Sequence, residues 1–362
     1  MDQFFHRYKY DEDNRIVQVE TSSDSVLWDR DARYGYYAHG PLKRMLLGED
    51  KIQGIDYIYT IQGWLKGINN PALMGIGSET GNIAADAFGM TLGYYLGDFN
   101  RTGSPYNNLT ATSLNGTSLF NGNISSWTSN LDYSIIPYAP NMKYTLLAGD
   151  AYQYDELNRI KNSYFHYYDG TGWQLANDEF HTAYTYDPNG NIITLNRKGH
   201  GANANAKRLD ELDYRYYAGA NRLEYIDDNV PQGNWTTDLD DQGAGNYTYD
   251  AIGNLTKDVK EKIKQIEWTV YGKVKRIIHF NKNDPTLNFT YDAQGNRVIK
   301  ELKYPSLCAH SFTSPKPCNP NPNDVKTFYV RDASGNIMAI YEKTEEQNKY
   351  KYRLRKYNAW RV

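Results

Sequence analysis

The sequence predicts an all-β chain, a winding antiparallel sheet assembled from hairpins, and three observations predict it. Tyrosine accounts for 34 of the 362 residues against only 11 phenylalanines. Its ring favours half-buried pleated surfaces and its hydroxyl tolerates water. An aromatic–acid–x–x–Gly/Asn–x–apolar frame recurs along most of the chain, and internal repetition of this kind dictates architecture. Around the frames, aromatic and polar residues alternate, as in Tyr184-Thr185-Tyr186, Tyr247-Thr248-Tyr249 and Phe289-Thr290-Tyr291. A period of two is that of a strand with one covered face.

In chain order, the first frame is Tyr10-Asp11-Glu12-Asp13-Asn14-Arg15-Ile16. Aspartate starts a tight turn because its carboxylate accepts a backbone N–H two residues on. The residue three places after it needs φ > 0, which glycine allows and asparagine tolerates best among the rest. Asp11 and Asn14 are therefore assigned to the turn, and the flanking aromatic and apolar residues to facing strands, where a cross-strand pair contributes about 0.2–1 kcal/mol. Weaker frames follow at Tyr36 with Gly40 and Leu42, and at Tyr59 with Gly63 and Leu65. Residues 1–70 thus read as hairpins.

From 71 to 150 the frame lapses, and this stretch of 80 residues holds seven charged side chains. Its Gly/Asn-rich, neutral character predicts an insertion packed on the sheet rather than a solvated linker. Hairpins resume over 151–362. Asp155 and Asn158, Asp187 and Gly190, Asp250 and Gly253, and Asp292 and Gly295 take the turn positions of four clear frames. Tyr217 with Asn221 and Leu223, Trp268 with Gly272 and Val274, and Arg331-Asp332 with Gly335 and Ile337 supply weaker ones. Between the last two, residues 305–323 carry five prolines and read as a loop. Tyr350, Tyr352 and Leu354 then alternate with Lys351, Arg353 and Arg355, a strand pattern.

Composition narrows the partners. Forty Lys and Arg against 43 Asp and Glu leave a net charge of −3, without the broad cationic field that nucleic acid or anionic lipid demands. Apolar runs fall short of the ~18–20 residues that cross a bilayer as a helix. The opening residues lack the pattern of a secretory signal and run almost at once into a repeat, so the chain is expected to be a fragment of something longer.

Chemical motifs fare poorly. The repeat aspartates sit where turns need them, so turn formation outweighs catalysis. Asp98 to Gly103 begins like a calcium loop, but Leu109 stands at its twelfth position, where a bidentate Glu belongs. Asp238 to Gly243 fails the same way at Tyr249. Gly75-Ile76-Gly77 is followed by Thr80 where a dinucleotide fingerprint needs its third glycine. Cys308 and His310 make a poor zinc site in a proline-rich loop. In an oxidising compartment Cys308 and Cys318 could form a local disulfide, and two free thiols are the equal alternative. No catalytic, cofactor or metal site is expected, and the chain reads as a non-enzyme.

The Tyr-Asp-x-x-Gly-Asn-Leu and Tyr-Asp-x-x-Asn-Arg-Ile copies resemble the YD repeats of the bacterial RHS (rearrangement hot spot) family. Teneurins and the cocoon component of insecticidal toxin complexes share that repeat. Gly63-Trp64-Leu65-Lys66-Gly67-Ile68-Asn69, Phe88 to Tyr95 and Phe120-Asn121-Gly122-Asn123-Ile124 are similar to further segments of bacterial RHS proteins. The resemblance spans roughly residues 8 to 357. It implies a β-strip that spirals into a hollow shell enclosing or presenting a C-terminal toxin or effector, secreted or at the cell surface as part of a longer protein. The expected partners are the remainder of that shell and the enclosed polypeptide. The family's self-cleaving core segment has no match, so no protease residue is carried over. The competing expectation, from the excess of Tyr and Trp, is a cell-surface carbohydrate-binding or adhesion module with glycan partners. A sheet cut from its continuation is also expected to self-associate or to sit against a partner.

Overall fold

The computed structural model describes residues 5–71, 86–101, 114, 116–131, 147–169, 171–176, 178–201, 208–231, 235, 238–306, 321–332, 334–346 and 349–357. Every extended element of the described residues is an antiparallel β-strand, and none is an α-helix. The chain is all-β.

Fifteen strands make one sheet. They are β1 (Phe5–Tyr10), β2 (Ile16–Ser22), β3 (Asp29–Tyr36), β4 (Leu42–Leu47), β5 (Gln53–Tyr59), β6 (Leu65–Ile68), β7 (Phe88–Gly93) and β8 (Ser126–Leu131), followed by β9 (Ala148–Tyr154), β10 (Ile160–Tyr168), β11 (Trp173–Leu175), β12 (Thr182–Tyr186), β13 (Ile192–Lys198), β14 (Arg208–Tyr216) and β15 (Leu223–Asp228). Nine more make the second: β16 (Tyr247–Tyr249), β17 (Leu255–Asp258), β18 (Ile263–Trp268), β19 (Val274–His279), β20 (Thr286–Tyr291), β21 (Arg297–Lys303), β22 (Val325–Arg331), β23 (Ile337–Glu346) and β24 (Lys349–Tyr357). Sequence order is spatial order throughout, save for β11, which pairs back on β10 beside the main path. Two compact units divide the chain, 1–212 with 229–239 and 213–228 with 240–362.

The register repeats as faithfully as the sequence. The residue closing the pre-turn strand faces the residue six places on in Tyr10–Ile16, Tyr36–Leu42, Tyr59–Leu65, Tyr154–Ile160 and Tyr186–Ile192 of the first unit. Tyr249–Leu255, Trp268–Val274, Tyr291–Arg297 and Arg331–Ile337 repeat it in the second. A register shift beside each pair marks the bulge that the turn imposes on the ladder.

In the first unit, Val19, Ala32 and Tyr34 are buried, with Ile16, Tyr36, Leu42, Met45 and Leu47 packed against them. Ala32, Tyr34 and Tyr36 alternate along β3, and the bulge beside each turn adds one residue between Ile16 and Val19 on β2 and between Leu42 and Met45 on β4, so all of them reach one apolar face. The second unit buries Ile226, Ile266 and Ala339, and most of its other strand residues stay half-exposed.

The neutral stretch departs from the expected insertion lying on the sheet. Its described strands β7 and β8 are members of the sheet, paired between β6 and β9. Thr91, Thr128, Ser125 and Ser126 are buried there, and Thr91 and Thr128 share a 2.5 Å hydrogen bond across the strands. Neutral composition here reflects hydroxyls buried within the sheet. Close backbone approach adds to it: a Cβ on Gly149 would lie 2.4 Å from the Trp127 carbonyl oxygen.

Candidate functional site

The chemistry concentrates at the hairpin ends. Each turn aspartate donates its N–H to the carbonyl four residues on, while the residue three places on donates back to its carbonyl. For Asp187 these are the Asn191 carbonyl at 2.9 Å and the Gly190 N–H at 3.1 Å. Asp11, Asp155, Asp250, Asp292 and Asp332 repeat both bonds. This is a three-residue hairpin loop whose last residue is left-handed. Asn14 and Asn158 have φ of 60° and 62°, while Gly190, Gly253 and Gly295 have 90°, 93° and 81°.

The carboxylates hold more than the single N–H two residues on. In Asp250, Oδ1 accepts from the N–H groups of Ile252 at 3.1 Å and Asn254 at 2.8 Å, and Oδ2 accepts from Asn254 Nδ2 at 2.9 Å. Asp292 and Asp332 do the same with Asn296 and Asn336. Asp11 and Asp155 use arginine in that place, with Arg15 Nε at 2.8 Å and Arg159 Nε at 2.6 Å. The residue directly before the strand start is thus part of the turn, which the frame alone does not reveal. Side-chain bonds from Arg15, Asn191 and Asn336 hold Asp11, Asp187 and Asp332 below the usual carboxylate range. In Asp155, Asp250 and Asp292, desolvation pushes upward but the combined N–H and side-chain bonds win, and these too are lowered. Ionised acceptors with both oxygens engaged make poor general acids.

Successive hairpins are then clasped. The hydroxyl of Tyr36 donates to the Ile16 carbonyl at 2.7 Å, and Tyr186 to Ile160 at 2.7 Å. Tyr249 reaches Leu223 at 2.9 Å, and Tyr291 reaches Val274 at 2.7 Å. In every case the donor closes one repeat's pre-turn strand, and the acceptor is the first residue after the preceding turn. Tyr94 on Leu65 and Tyr154 on Ile124 extend the pattern through the neutral stretch. Where the aromatic changes, the bond survives: Trp268 donates Nε1 to Leu255 at 2.8 Å, and Arg331 donates Nη2 to Arg297 at 3.0 Å. Arg15 and Arg159, from the preceding turns, each stack 4.6 Å over the clasping rings of Tyr36 and Tyr186. Tyr59 lacks the bond and stands edge-on to Tyr37. The Tyr217 frame is corrected: Tyr217 starts its turn, with N–H to the Arg222 carbonyl five residues on, and Tyr216 ends the strand, because this loop is one residue longer than the others and Gly219, not Asn221, is its left-handed residue.

A second polar centre is buried. Lys66 on β6 has 0% side-chain exposure and Asp98 has 1%, and Nζ lies 2.8 and 3.0 Å from the two carboxylate oxygens. The Tyr94 N–H also donates to Asp98, at 2.9 Å. Desolvation pulls Lys66 below the usual ammonium range, against the opposing pull of Asp98. Asp98, the first residue of the calcium-like segment, is thus spent on an internal cation. In the other such segment, Asp241 Oδ1 accepts the Asp228 N–H at 2.7 Å and Asp240 meets Lys260 at 3.5 Å.

Ser163, Asp150 and His166 share two adjoining strands without forming a relay. Ser163 Oγ donates to Asp150 at 3.0 Å, but register places Asp150 opposite Phe165 and His166 opposite Gly149, on the other face. No group of three or more His, Cys, Asp or Glu among the described residues has metal-site geometry. Gly75 to Thr80, Cys308, His310 and Cys318 lie outside the described residues. No described helix is long and apolar enough to span a membrane.

No family model matches the chain, and no curated protein matches it. Among solved structures it is similar to the crystal structure of TcdB2-TccC3-TEV, at 12% identity and a TM-score of 0.37, over 96% of this chain and 14% of that one. It is similar also to TcdB2-TccC3 without its hypervariable C-terminal region, at 11% identity and a TM-score of 0.37, over 97% and 15% respectively. The chain therefore spans about one seventh of the length of each.

Proposed function

We propose that this chain is a non-catalytic structural segment of an RHS-type YD-repeat shell, which encloses or presents a toxin or effector and is secreted or displayed as part of a longer protein. The observation that carries this reading is the clasp, because within each unit it turns successive hairpins into a continuous wall. Each ladder bond joins neighbouring strands, while each clasp ties one hairpin's strand end to the bulge beside the previous turn. The net worth of each is about 0.5–1.5 kcal/mol, small singly and additive along repeats. A wall must resist local opening more than it must react. The frame's sequence resemblance to YD repeats supports the enclosing role, and the engaged turn carboxylates support a role without catalysis.

Electron microscopy of the intact gene product tests the reading. Encapsulation requires a closed β-layer around internal density that is protected from added protease. A solid particle without a cavity, or an effector domain digested as fast as when it is free, would overturn it.

A further inference from the structure

We infer that the outer edge of β1 is a docking edge for the post-turn strand of another repeat hairpin, one lying outside these 362 residues, with Tyr10 as its clasping donor. The inference rests on the repeat-wall reading above and identifies the partner of that wall at one edge.

Strand β1 pairs with β2 on one side and, among the described residues, with nothing on the other. An open edge presents unsatisfied N–H and C=O groups to any extended partner. Tyr10 occupies the position held in later repeats by Tyr36, Tyr186, Tyr249 and Tyr291, each of which donates to the repeat before it. The Tyr10 hydroxyl has no hydrogen-bond partner among the described residues, and the residue is 56% exposed where the clasped tyrosines are half-buried. Tyr8 and Phe5, at 43% and 36%, are exposed along the same strand.

The later repeats specify the occupant's chemistry. It is a hairpin whose first residue after the turn offers its carbonyl to Tyr10 and then pairs antiparallel with β1. The residue before that one, arginine in the turns of Asp11 and Asp155, would lie over the Tyr10 ring as Arg15 lies over Tyr36. A second copy of this chain is a poor supplier. Post-turn strands β2, β4, β6, β10, β13, β17, β19, β21 and β23 are paired on both sides. The remaining one, β15, has its outer edge engaged: Tyr249 holds the Leu223 carbonyl, Gln242 bonds Ile226 in both directions and Asp241 accepts the Asp228 N–H.

The test supplies the missing strand. A copy of residues 5–28 is placed directly ahead of Gln3 in the full chain. Residues 3–10 then match in length the eight residues of β3 that end at Tyr36. Amide hydrogen exchange is followed residue by residue in the original and extended chains. The β1 amides that point away from β2 are expected to slow in the extended chain, with β20 and β21 unchanged as a folding control. Tyr10→Phe in the extended chain is expected to lower that added protection about three- to tenfold, the equivalent of one net hydrogen bond. The same substitution in the original chain should leave β1 exchange unaltered.

Unchanged β1 amides on extension, or an extended chain indifferent to Tyr10→Phe, would overturn the inference. Light scattering showing that the original chain dimerises, with β1 protected in the dimer, would also overturn it by naming a second copy as the occupant. None of these outcomes bears on whether the intact product encloses a cargo, so the two readings fail separately.

Discussion

At the scale of single residues, the left-handed turn position and the clasp make the sharpest predictions. Gly253 has φ 93° with nothing within 4 Å of where a Cβ would stand, so space is not the obstacle to substitution. Backbone conformation is, and Gly253→Ala should cost about 1–2 kcal/mol. Gly253→Asn should cost less, because Asn14 and Asn158 already occupy the same position. Chemical denaturation of the three proteins checks the order. Tyr186→Phe removes the donor to the Ile160 carbonyl while keeping the ring under Arg159, and should cost about 0.5–1.5 kcal/mol in the same assay. The turn aspartates and their left-handed partners were legible in the sequence because a tight turn fixes both residue types at a constant spacing. The clasp was not. Its donor and acceptor lie 17 residues apart for Tyr291 and Val274 but 34 for Arg331 and Arg297, so it has no spacing to find.

At the scale of elements, the buried brace between β6 and the turn after β7 behaves unlike the exposed ion pairs. Lys66→Met leaves the Asp98 carboxylate buried without its cation and should destabilise by about 3–5 kcal/mol. Lys66→Met combined with Asp98→Leu removes both charges and should recover most of that loss. Thermal unfolding of the single and double variants separates a costly orphan charge from a needed attraction. A loss in the double as large as in the single would refute the reading. Strand β9 is sensitive for a different reason. Gly149→Ala sets a methyl 2.4 Å from the Trp127 carbonyl oxygen and 2.7 Å from Thr128 Cγ2, so strands β8 and β9 must part locally. Elements carrying the frame were legible as strands. Strands β7 and β8 were not, because a neutral, hydroxyl-rich segment shows neither the frame nor a sharp polar alternation until its pairing partners are known. Lys66 and Asp98 are 32 residues apart, and only the pairing of β6 with β7 brings them together.

For the whole molecule, two opposed sets of titrating groups should give a stability profile with more than one turning point. Burial in the first unit lowers His166 and His181 from the ordinary histidine value. Both are neutral in the fold, with Nε2 buried and without a partner among the described residues. Their contribution is present above the unfolded value near 6.5 and is lost as pH falls toward the folded one. Desolvation raises Asp31, Asp86 and Asp150. An acid whose folded value is raised binds its proton more readily in the native state, so its contribution is full below the unfolded value near 3.8 and is lost as pH rises through the folded one. The turn aspartates have the opposite sign, stabilising above that value and losing effect as pH falls through their depressed folded values. Acidification from neutral should therefore first weaken the fold through the histidines. The raised carboxylates then restore part of the loss as they protonate, and the turns fail last. Denaturant midpoints measured at half-unit pH steps would trace this course. Asp31→Asn isolates one member, because the amide oxygen still accepts from Thr21 Oγ1 while the buried charge is gone. Asp31→Asn should raise the midpoint at neutral pH and leave it unchanged at the acid end. A variant weakened at neutral pH but not at the acid end would show that the Asp31 carboxylate is held by an attraction stronger than the desolvation that opposes it.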